Sequence, residues 1–294
     1  RDNPWHQELR KEREFDEQHM TRAKYQHVWE GAYNDEVENS IIPVEWFNAA
    51  IDAHLKLKFE ARGAKVVSHD PSDSGFDPKG LAYRHGSVFM DIKEYETGDV
   101  NTGMDVATQY AIDVGADFFN WDCDGMGAPL RRQVSQALQG KHIEYEEYKG
   151  SESPPNPNQV YDPKAEGGKP RKIKDTFRNC RSYYYLRLRD RFYNTWRAIE
   201  LGEYSDPEEL VSICSTIEDI DGLRAEVCRI PLKESNNKFT EIMSKVDMKR
   251  LHQLPSANRA DAMKMSLAIG SKPRRDKKHR VQVPTNRARR MSKC

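Results

Sequence analysis

Three aspartates stand where turns in the backbone would gather them. Asp70 ends the run Ala64-Lys65-Val66-Val67-Ser68-His69-Asp70, which follows Gly63 and reads as a strand closing in a carboxylate. Asp122 closes a second apolar run, 116–122, and opens Asp122-Cys123-Asp124-Gly125-Met126-Gly127. Asp261 lies between two alanines in Asn258-Arg259-Ala260-Asp261-Ala262, on a helix otherwise apolar through Met263, Met265 and Leu267. Three carboxylates brought together repel one another unless cations neutralise them. Oxygen ligands of this kind select Mg²⁺ or Mn²⁺ over zinc. Two such ions about 3.5–4 Å apart can activate a water and stabilise the leaving oxygen of a phosphodiester. The blander reading is that a strand-final Asp caps a turn or helix, and that Asp-x-x-Gly-x-Gly is only a tight strand-to-helix bend. Asp261, flanked by small residues on an otherwise apolar helix, resists that reading.

Other polar residues divide between the same two readings. Asp73, Asp77 and Asp124 read as turn formers, with Asp124 the best candidate for a supporting role. His69 and Lys93 are either phosphate-handling groups or solvated neighbours. Arg131 and Arg132, which begin the helix after the second acid, could hold DNA phosphates, as could Arg171, Lys172 and Lys174. A solvated charged face would look the same. The Arg/Tyr pattern over 178–193 could stack bases, but amphipathic packing explains it more simply.

If the two acid-tipped strands are parallel neighbours, their carboxyl ends share one sheet edge, where α/β proteins bind ligands. A terminal helix laid across that edge brings in the third acid. The rest of the pattern supplies such a sheet. Pro43, Val44, Phe47, Ile51 and Leu55 predict a helix over 43–60. Short strands follow at 81–85 and 87–95, turning at His85-Gly86. Helices are expected at 102–114 and 128–139, with a fifth strand over 142–148. The order is strand, strand, strand, helix, strand, helix, strand, a mixed α/β sheet. Residues 149–172 hold five prolines and three glycines and read as a long loop. Beyond it we expect one long helix from Ile173 to Leu201, a short helix after Asp206-Pro207, a strand around Ala225–Pro231, and a last helix from about Asn258 to Ile269.

Length and charge set the frame. The 294 residues carry 47 bases and 47 acids, enough chain for one large domain or two small ones. The balance is uneven: 271–294 has a net charge of +9, and the remaining residues −9. A DNA-coating protein would spread its positive charge over its face, whereas an acidic body suits an enzyme that collects carboxylates around cations. The basic tail has almost no apolar residues and is expected to be disordered when unbound. The five cysteines form no Cys-x-x-Cys pair, which argues against a zinc site or disulfide framework and for a reducing, intracellular setting. No apolar run approaches the roughly 20 residues that span a bilayer. The polar opening has no signal-peptide character. Beginning without Met, the chain reads as a fragment of something longer.

The sequence resembles the C-terminal portion of phage terminase large subunits over roughly residues 20–268. Tyr25-Gln26-His27-Val28-Trp29-Glu30-Gly31 is similar to the segment joining ATPase to nuclease in that family. Ser68-His69-Asp70-Pro71-Ser72-Asp73, with Asp77-Pro78, looks like its first acidic strand and loop. Phe119-Asn120-Trp121-Asp122-Cys123-Asp124-Gly125-Met126-Gly127 resembles the second, and Asn258-Arg259-Ala260-Asp261-Ala262 the last. The resemblance implies an α/β, RNase H-like mixed central sheet flanked by helices, with Asp70, Asp122 and Asp261 as catalytic triad and ligands of two Mg²⁺ or Mn²⁺ ions. Asp122 and Asp124 both lie in the second motif; the family spacing to Gly125 and Gly127 favours Asp122.

The implied organisation is an arm from a missing ATPase domain over 1–40, a nuclease domain over 41–270 and the basic tail over 271–294. The implied activity is cleavage of double-stranded viral DNA during genome packaging. The implied partners are DNA, the portal protein of the procapsid, the small terminase subunit and the ATPase domain, with no membrane. The implied place is the bacterial host cytoplasm, transiently at the portal. One departure stands out: no Gly-x-x-x-x-Gly-Lys-Ser/Thr loop occurs, so ATP hydrolysis is not expected. Two further readings stay open, a module docking portal and DNA whose acids are structural, and a RuvC-like resolvase or transposase nuclease.

Overall fold

The computed structural model describes residues 39–73, 77–96, 98–162, 169–233 and 238–269, besides Lys11 and Arg13. The expected arm over 1–40 lies outside the described residues but for Lys11, Arg13, Asn39 and Ser40, and the basic tail over 271–294 lies wholly outside them.

Strands β1 (Lys65–Asp70), β2 (Lys79–His85) and β3 (Val88–Tyr95) form an antiparallel meander, and Gly86 makes the expected turn between the last two at φ 61°. Helix α1 (Val44–Ala50), helix α2 (Ala53–Lys56) and helix α3 (Val100–Asp113) lie around this meander. Strand β4 (Phe118–Asp122) runs parallel to β1, helix α4 (Arg131–Ala137) follows one 3₁₀ segment, and β5 (Glu144–Tyr148) runs parallel to β4. The short β8 (Ser212–Ile213) completes a six-stranded sheet in the order β5-β4-β1-β2-β3-β8. Strand, strand, strand, helix, strand, helix, strand is therefore the observed order.

Side chains alternate across a strand, and here the alternation sorts apolar from polar. Val67, Phe119 and Trp121 face one side, where Met104, Ala107 and Ala111 of α3 and Val134 of α4 cover them. Ser68 and Asn120 face the other side, hydrogen-bonded to each other, and Asn120 donates to Met265 O at 2.9 Å. That second side is covered by α9 (Asn258–Ser266), every residue of which is buried. The long helix α6 (Cys180–Glu200) packs behind α9 in a core with Phe47, Phe89 and Leu223.

Several expected elements differ. The helix expected over 43–60 breaks at Ile51, which is extended and bridges Ile213, and Asp52 turns left-handed at φ 51°. The long loop contains a two-stranded ribbon, β6 (Val160–Asp162) with β7 (Arg171–Lys172). The single helix from Ile173 to Leu201 is interrupted after α5 (Ile173–Thr176). Phe177 is extended, and Asn179 accepts from Ser182 N to start α6 afresh. Only a 3₁₀ turn, Pro207–Glu209, follows Asp206. The strand expected over 225–231 is a correction: α7 (Ile220–Val227) takes its first three residues, and only Pro231 makes an isolated bridge, to Ser40. Asp219 caps Gly222 N, and Leu223 and Val227 are buried at helical spacing. Helix α8 (Lys245–His252), which was not foreseen, is capped by Ser244 accepting from Asp247 N. No described helix is long and apolar enough to cross a membrane.

Candidate metal centre

Parallel pairing sets His69 beside Trp121 and so carries Asp70 and Asp122, one residue further, to adjacent tips of β1 and β4. By the two-residue alternation both point to the side of Ser68 and Asn120, the side on which α9 lies. Gly80 lets α9 come this close: a Cβ there would stand 2.1 Å from Asn258 O. Asn258 Nδ2 in turn donates to Asp77 Oδ1 at 3.0 Å and Pro78 O at 2.7 Å, tying the helix start to the loop beyond β1. Asp261, in the first turn of α9, then meets the two strand tips. Gly127 is the tight point after β4, since a Cβ there would meet Asp122 O at 1.7 Å.

The N-terminus of α9 has no side-chain cap of its own. Glu226 of α7 supplies one: it accepts from Ala260 N at 2.8 Å and from Arg259 Nε at 2.8 Å. Asp219 takes the other side of the Arg259 guanidinium at 3.1 Å. Burial pushes the Glu226 carboxyl up to about 7 despite Arg259.

Asp70, Asp122, Asp124 and Asp261 all line one cavity of about 640 Å³. Asp70 is 6% exposed and Asp261 1%. The Lys245 ammonium of α8 stands between them, 3.2 Å from Asp70 Oδ2 and 2.9 Å from Asp261 Oδ2. The two oxygens are therefore no further apart than the sum of those contacts. Asp261 Oδ1 accepts from the Tyr185 hydroxyl at 2.9 Å and lies 3.3 Å from Lys264 Nζ. Asp261 Oδ2 is buried and, for all its ion pair with Lys245, takes part in no hydrogen bond of good geometry.

Charges follow from this packing. Burial, opposed by Lys245 and reinforced by Asp261 and Asp122, pushes the Asp70 carboxyl up to about 7. Burial also raises Asp122. Burial acts the same way on Asp261, but Lys245, Lys264 and Arg181 overrule it and hold that carboxyl well below the usual range. Burial works against the Lys245 charge, yet Asp261 and Asp70 hold the ammonium above the usual lysine range. The three acids sense one another and already lean on cations of the protein.

Among the described residues, no three acidic, histidine or cysteine side chains close around one point as they stand. The Lys245 ammonium fills the space between Asp70 and Asp261. The donor set itself fits a hard divalent cation: all oxygen, convergent, mutually repelling, with a buried oxygen lacking a hydrogen bond. Lys245 is the stand-in, and its half-exposed side chain can yield the place.

The remaining expected site residues fall into two groups. Asp124 lines the cavity, but Ser151 donates to both its oxygens, from N and from Oγ, each at 2.8 Å. It also gives its own N–H to Asp122 Oδ1 at 2.8 Å, so it orients Asp122 and anchors the loop after β5. Asp77 joins the lining, whereas Asp73 accepts from Val100 N. Arg131, Arg132, Arg171, Lys172 and Lys174 do not contribute to the cavity wall. Arg131 pairs with Glu147 at 3.0 Å, and Arg171 holds Asp175 O and Lys238 O. His69 is buried, with Nδ1 3.0 Å from Gly80 O, and Lys93 pairs with Asp91.

The basic groups that do reach the cavity are Arg178, Arg181, Lys233, Lys245 and Lys264. Two signals for them stood in the sequence: the Ser244-x-x-Asp247 helix start beside Lys245, and a lone lysine three residues beyond Asp261.

No protein-family model matches the sequence, and no curated protein does. Solved structures do match. The nuclease domain of the large terminase subunit gp2 of bacterial virus Sf6 is 46% identical, with a TM-score of 0.73, covering 78% of this chain and 98% of that one. A lysine-to-alanine mutant of that domain with manganese and β-thujaplicinol is 45% identical, with a TM-score of 0.72 and the same coverage. So is the mutant with calcium, at 45% and 0.72. The mixed six-stranded sheet flanked by helices is accordingly the RNase H-like arrangement expected from the motifs. With this identity over nearly the whole of the relative, the chain belongs to the family of nuclease domains of phage terminase large subunits.

Proposed function

We propose that this chain is a divalent-metal-dependent endonuclease that cleaves double-stranded viral DNA during genome packaging, with Asp70, Asp122 and Asp261 holding two Mg²⁺ or Mn²⁺ ions. The observation that carries the reading is the single ammonium shared by Asp70 and Asp261, with Asp122 at the tip of the strand next to that of Asp70. Where one protein cation bridges two buried carboxylates, a mobile divalent cation has a place to take. The manganese and calcium complexes of the Sf6 relative support the same reading. When bound, such ions supply an activated water and charge stabilisation at the scissile phosphate.

The chain's own residues divide the remaining work. Asp70 and Asp122 present carboxylates from fixed strand tips, and Asp261 from a helix strapped by Glu226. Asp124 holds Asp122 in place through its backbone N–H. Arg178, two-thirds exposed at the mouth, and Lys233, nearly half exposed, can meet the DNA backbone, with Glu241 holding both until it arrives. DNA is the partner on which this chemistry depends; portal, small subunit and ATPase domain are partners the family suggests for the longer protein. The same family association supports a site of action in the bacterial cytoplasm, at the procapsid portal during packaging.

The test is nicking of supercoiled plasmid and cutting of linear duplex with Mn²⁺ or Mg²⁺, with EDTA as control. Metal-dependent cutting, lost in folded Asp70→Asn, Asp122→Asn and Asp261→Asn variants, is the expected result. Full activity in any two of them refutes the triad. A strong preference for branched DNA points to a resolvase instead.

A further inference from the structure

Lys264 is a buried lysine in the same cavity to which the metal reading gives no task. It lies three residues beyond Asp261 on α9, on the same face, with its side chain 1% exposed. Its Nζ is 3.3 Å from Asp261 Oδ1, donates to the Tyr148 hydroxyl at 3.3 Å, and stands 4.3 Å from the centroid of the Tyr148 ring. The Tyr185 ring closes a second side at 5.6 Å, and the Tyr185 hydroxyl binds the same Oδ1.

The two lysines around Asp261 therefore differ in kind. Lys245 touches Oδ2 from a side chain that is 45% exposed and can swing to water. Lys264 is boxed between two tyrosines, and withdrawing it would leave an ammonium buried without its anion, which is strongly disfavoured. Aromatic faces stabilise such a cation but do not neutralise it. Its place beside Oδ1 is permanent.

We propose that Lys264 is a fixed counter-charge of the metal centre, a positioning residue that reserves Asp261 Oδ1 and leaves Oδ2 alone to meet a metal. Once Lys245 departs, three carboxylates and one resident ammonium carry a net charge of about −2 rather than −3, so the first divalent ion brings the set to neutrality and a second adds the positive charge that a phosphate would balance. Lys264 thereby sets how tightly the site grips its ion. This rests on the metal-dependent reading above.

The experiment is a calorimetric titration of the whole chain with Mn²⁺, comparing wild type, Lys264→Gln and Tyr185→Phe. The glutamine keeps donors for Asp261 and Tyr148 but removes the charge; the phenylalanine removes a hydrogen bond and keeps the charge. We expect Lys264→Gln to bind Mn²⁺ at least about tenfold tighter, and Tyr185→Phe, which removes an outer partner of Asp261 but no charge, to bind it roughly 10- to 100-fold more weakly. A residue that merely packed the cavity would give weaker or unchanged binding on its loss, and that result overturns the proposal. Should Lys264→Gln fail to fold, a crystal structure of wild type with Mn²⁺ decides. The proposal requires the ion on Asp261 Oδ2 with Lys264 still on Oδ1; an ion on Oδ1, or a displaced Lys264, overturns it. A wild-type chain that binds no Mn²⁺ removes the metal reading itself and this inference with it.

Discussion

Lys245 Nζ sits 2.9 Å from Asp261 Oδ2, the oxygen of that carboxylate that takes part in no hydrogen bond of good geometry. On the proposed metal reading, a cation of the chain thus occupies ground that a divalent ion would take, and the competition between the two sets what can be measured on this protein.

Lys245→Ala should tighten Mn²⁺ binding by roughly tenfold, about 1.4 kcal/mol, because the ion no longer has to displace an ammonium. Isothermal titration of the variant and wild type at one salt concentration measures it. Weaker binding in the variant would mean that Lys245 helps hold the ion rather than opposing it.

Each triad acid should matter at least as much as an outer partner of a metal ligand, whose loss costs roughly 10- to 100-fold. We expect Asp122→Asn to lose at least about a hundredfold in Mn²⁺-dependent plasmid nicking while its circular dichroism stays that of wild type. Asp70→Asn should in addition raise metal-free stability by roughly 1 kcal/mol at pH 8, since it removes a buried charge repelled by two others. Chemical denaturation without metal checks the second effect.

Metal binding should depend on pH through Asp70. Its carboxyl is raised from 3.8 to about 7 by burial, with Lys245 opposing and the other two acids adding. The folded state therefore favours the protonated form. Its stabilising contribution is complete below pH 3.8 and is lost as pH rises through about 7. Metal requires the ionised form, so Mn²⁺ affinity should climb by about tenfold per pH unit below 7 and level off above it. A pH-independent affinity between 5.5 and 8 would show that Asp70 is not a ligand.

Glu226→Ala should lower stability by roughly 1–3 kcal/mol, the usual cost of a buried donor left without its acceptor, since Arg259 keeps Asp219 while a helix start is uncapped. Thermal or urea unfolding reads this directly. Where the variant stays folded, Mn²⁺ should bind more weakly, because Ala260 and Arg259 hold Asp261 in register through Glu226.

Gly80→Ala places a methyl group 2.1 Å from Asn258 O. Overpacking of this kind typically costs roughly 1–3 kcal/mol, and here it must push α9 away from β1 and β4. Nicking activity should fall by more than the loss of stability explains, which activity measured well below the melting temperature would reveal.

The sheet and its two acid tips were legible because they depend on local pattern. Val66, Val67, Phe119 and Trp121 are a strand core, and Asp70 and Asp122 end their runs at the point where parallel strands open to a ligand. Asp261 was legible for a different reason: an acid between alanines on a buried helix needs a partner. What stayed hidden are contacts between elements distant in the chain. Nothing near Lys245 in sequence announces Asp70, 175 positions away, and nothing near Tyr185 announces Asp261. The segment 225–231 misled because Val227, Cys228 and Ile230 read as a short β-run, while the Asp219 cap that makes a helix of it lies further back. The break in the 173–201 helix came from Asn179, a capping residue inside an otherwise helical stretch.

The most direct test is a crystal structure of the wild-type chain soaked in Mn²⁺ near pH 8, with anomalous diffraction to locate the ion. Anomalous density is expected within about 2.0–2.6 Å of oxygens of Asp70, Asp122 and Asp261, with Lys245 swung away from Asp70. Density bound elsewhere, or a Lys245 that keeps its place between the two carboxylates at saturating metal, would contradict the metal reading.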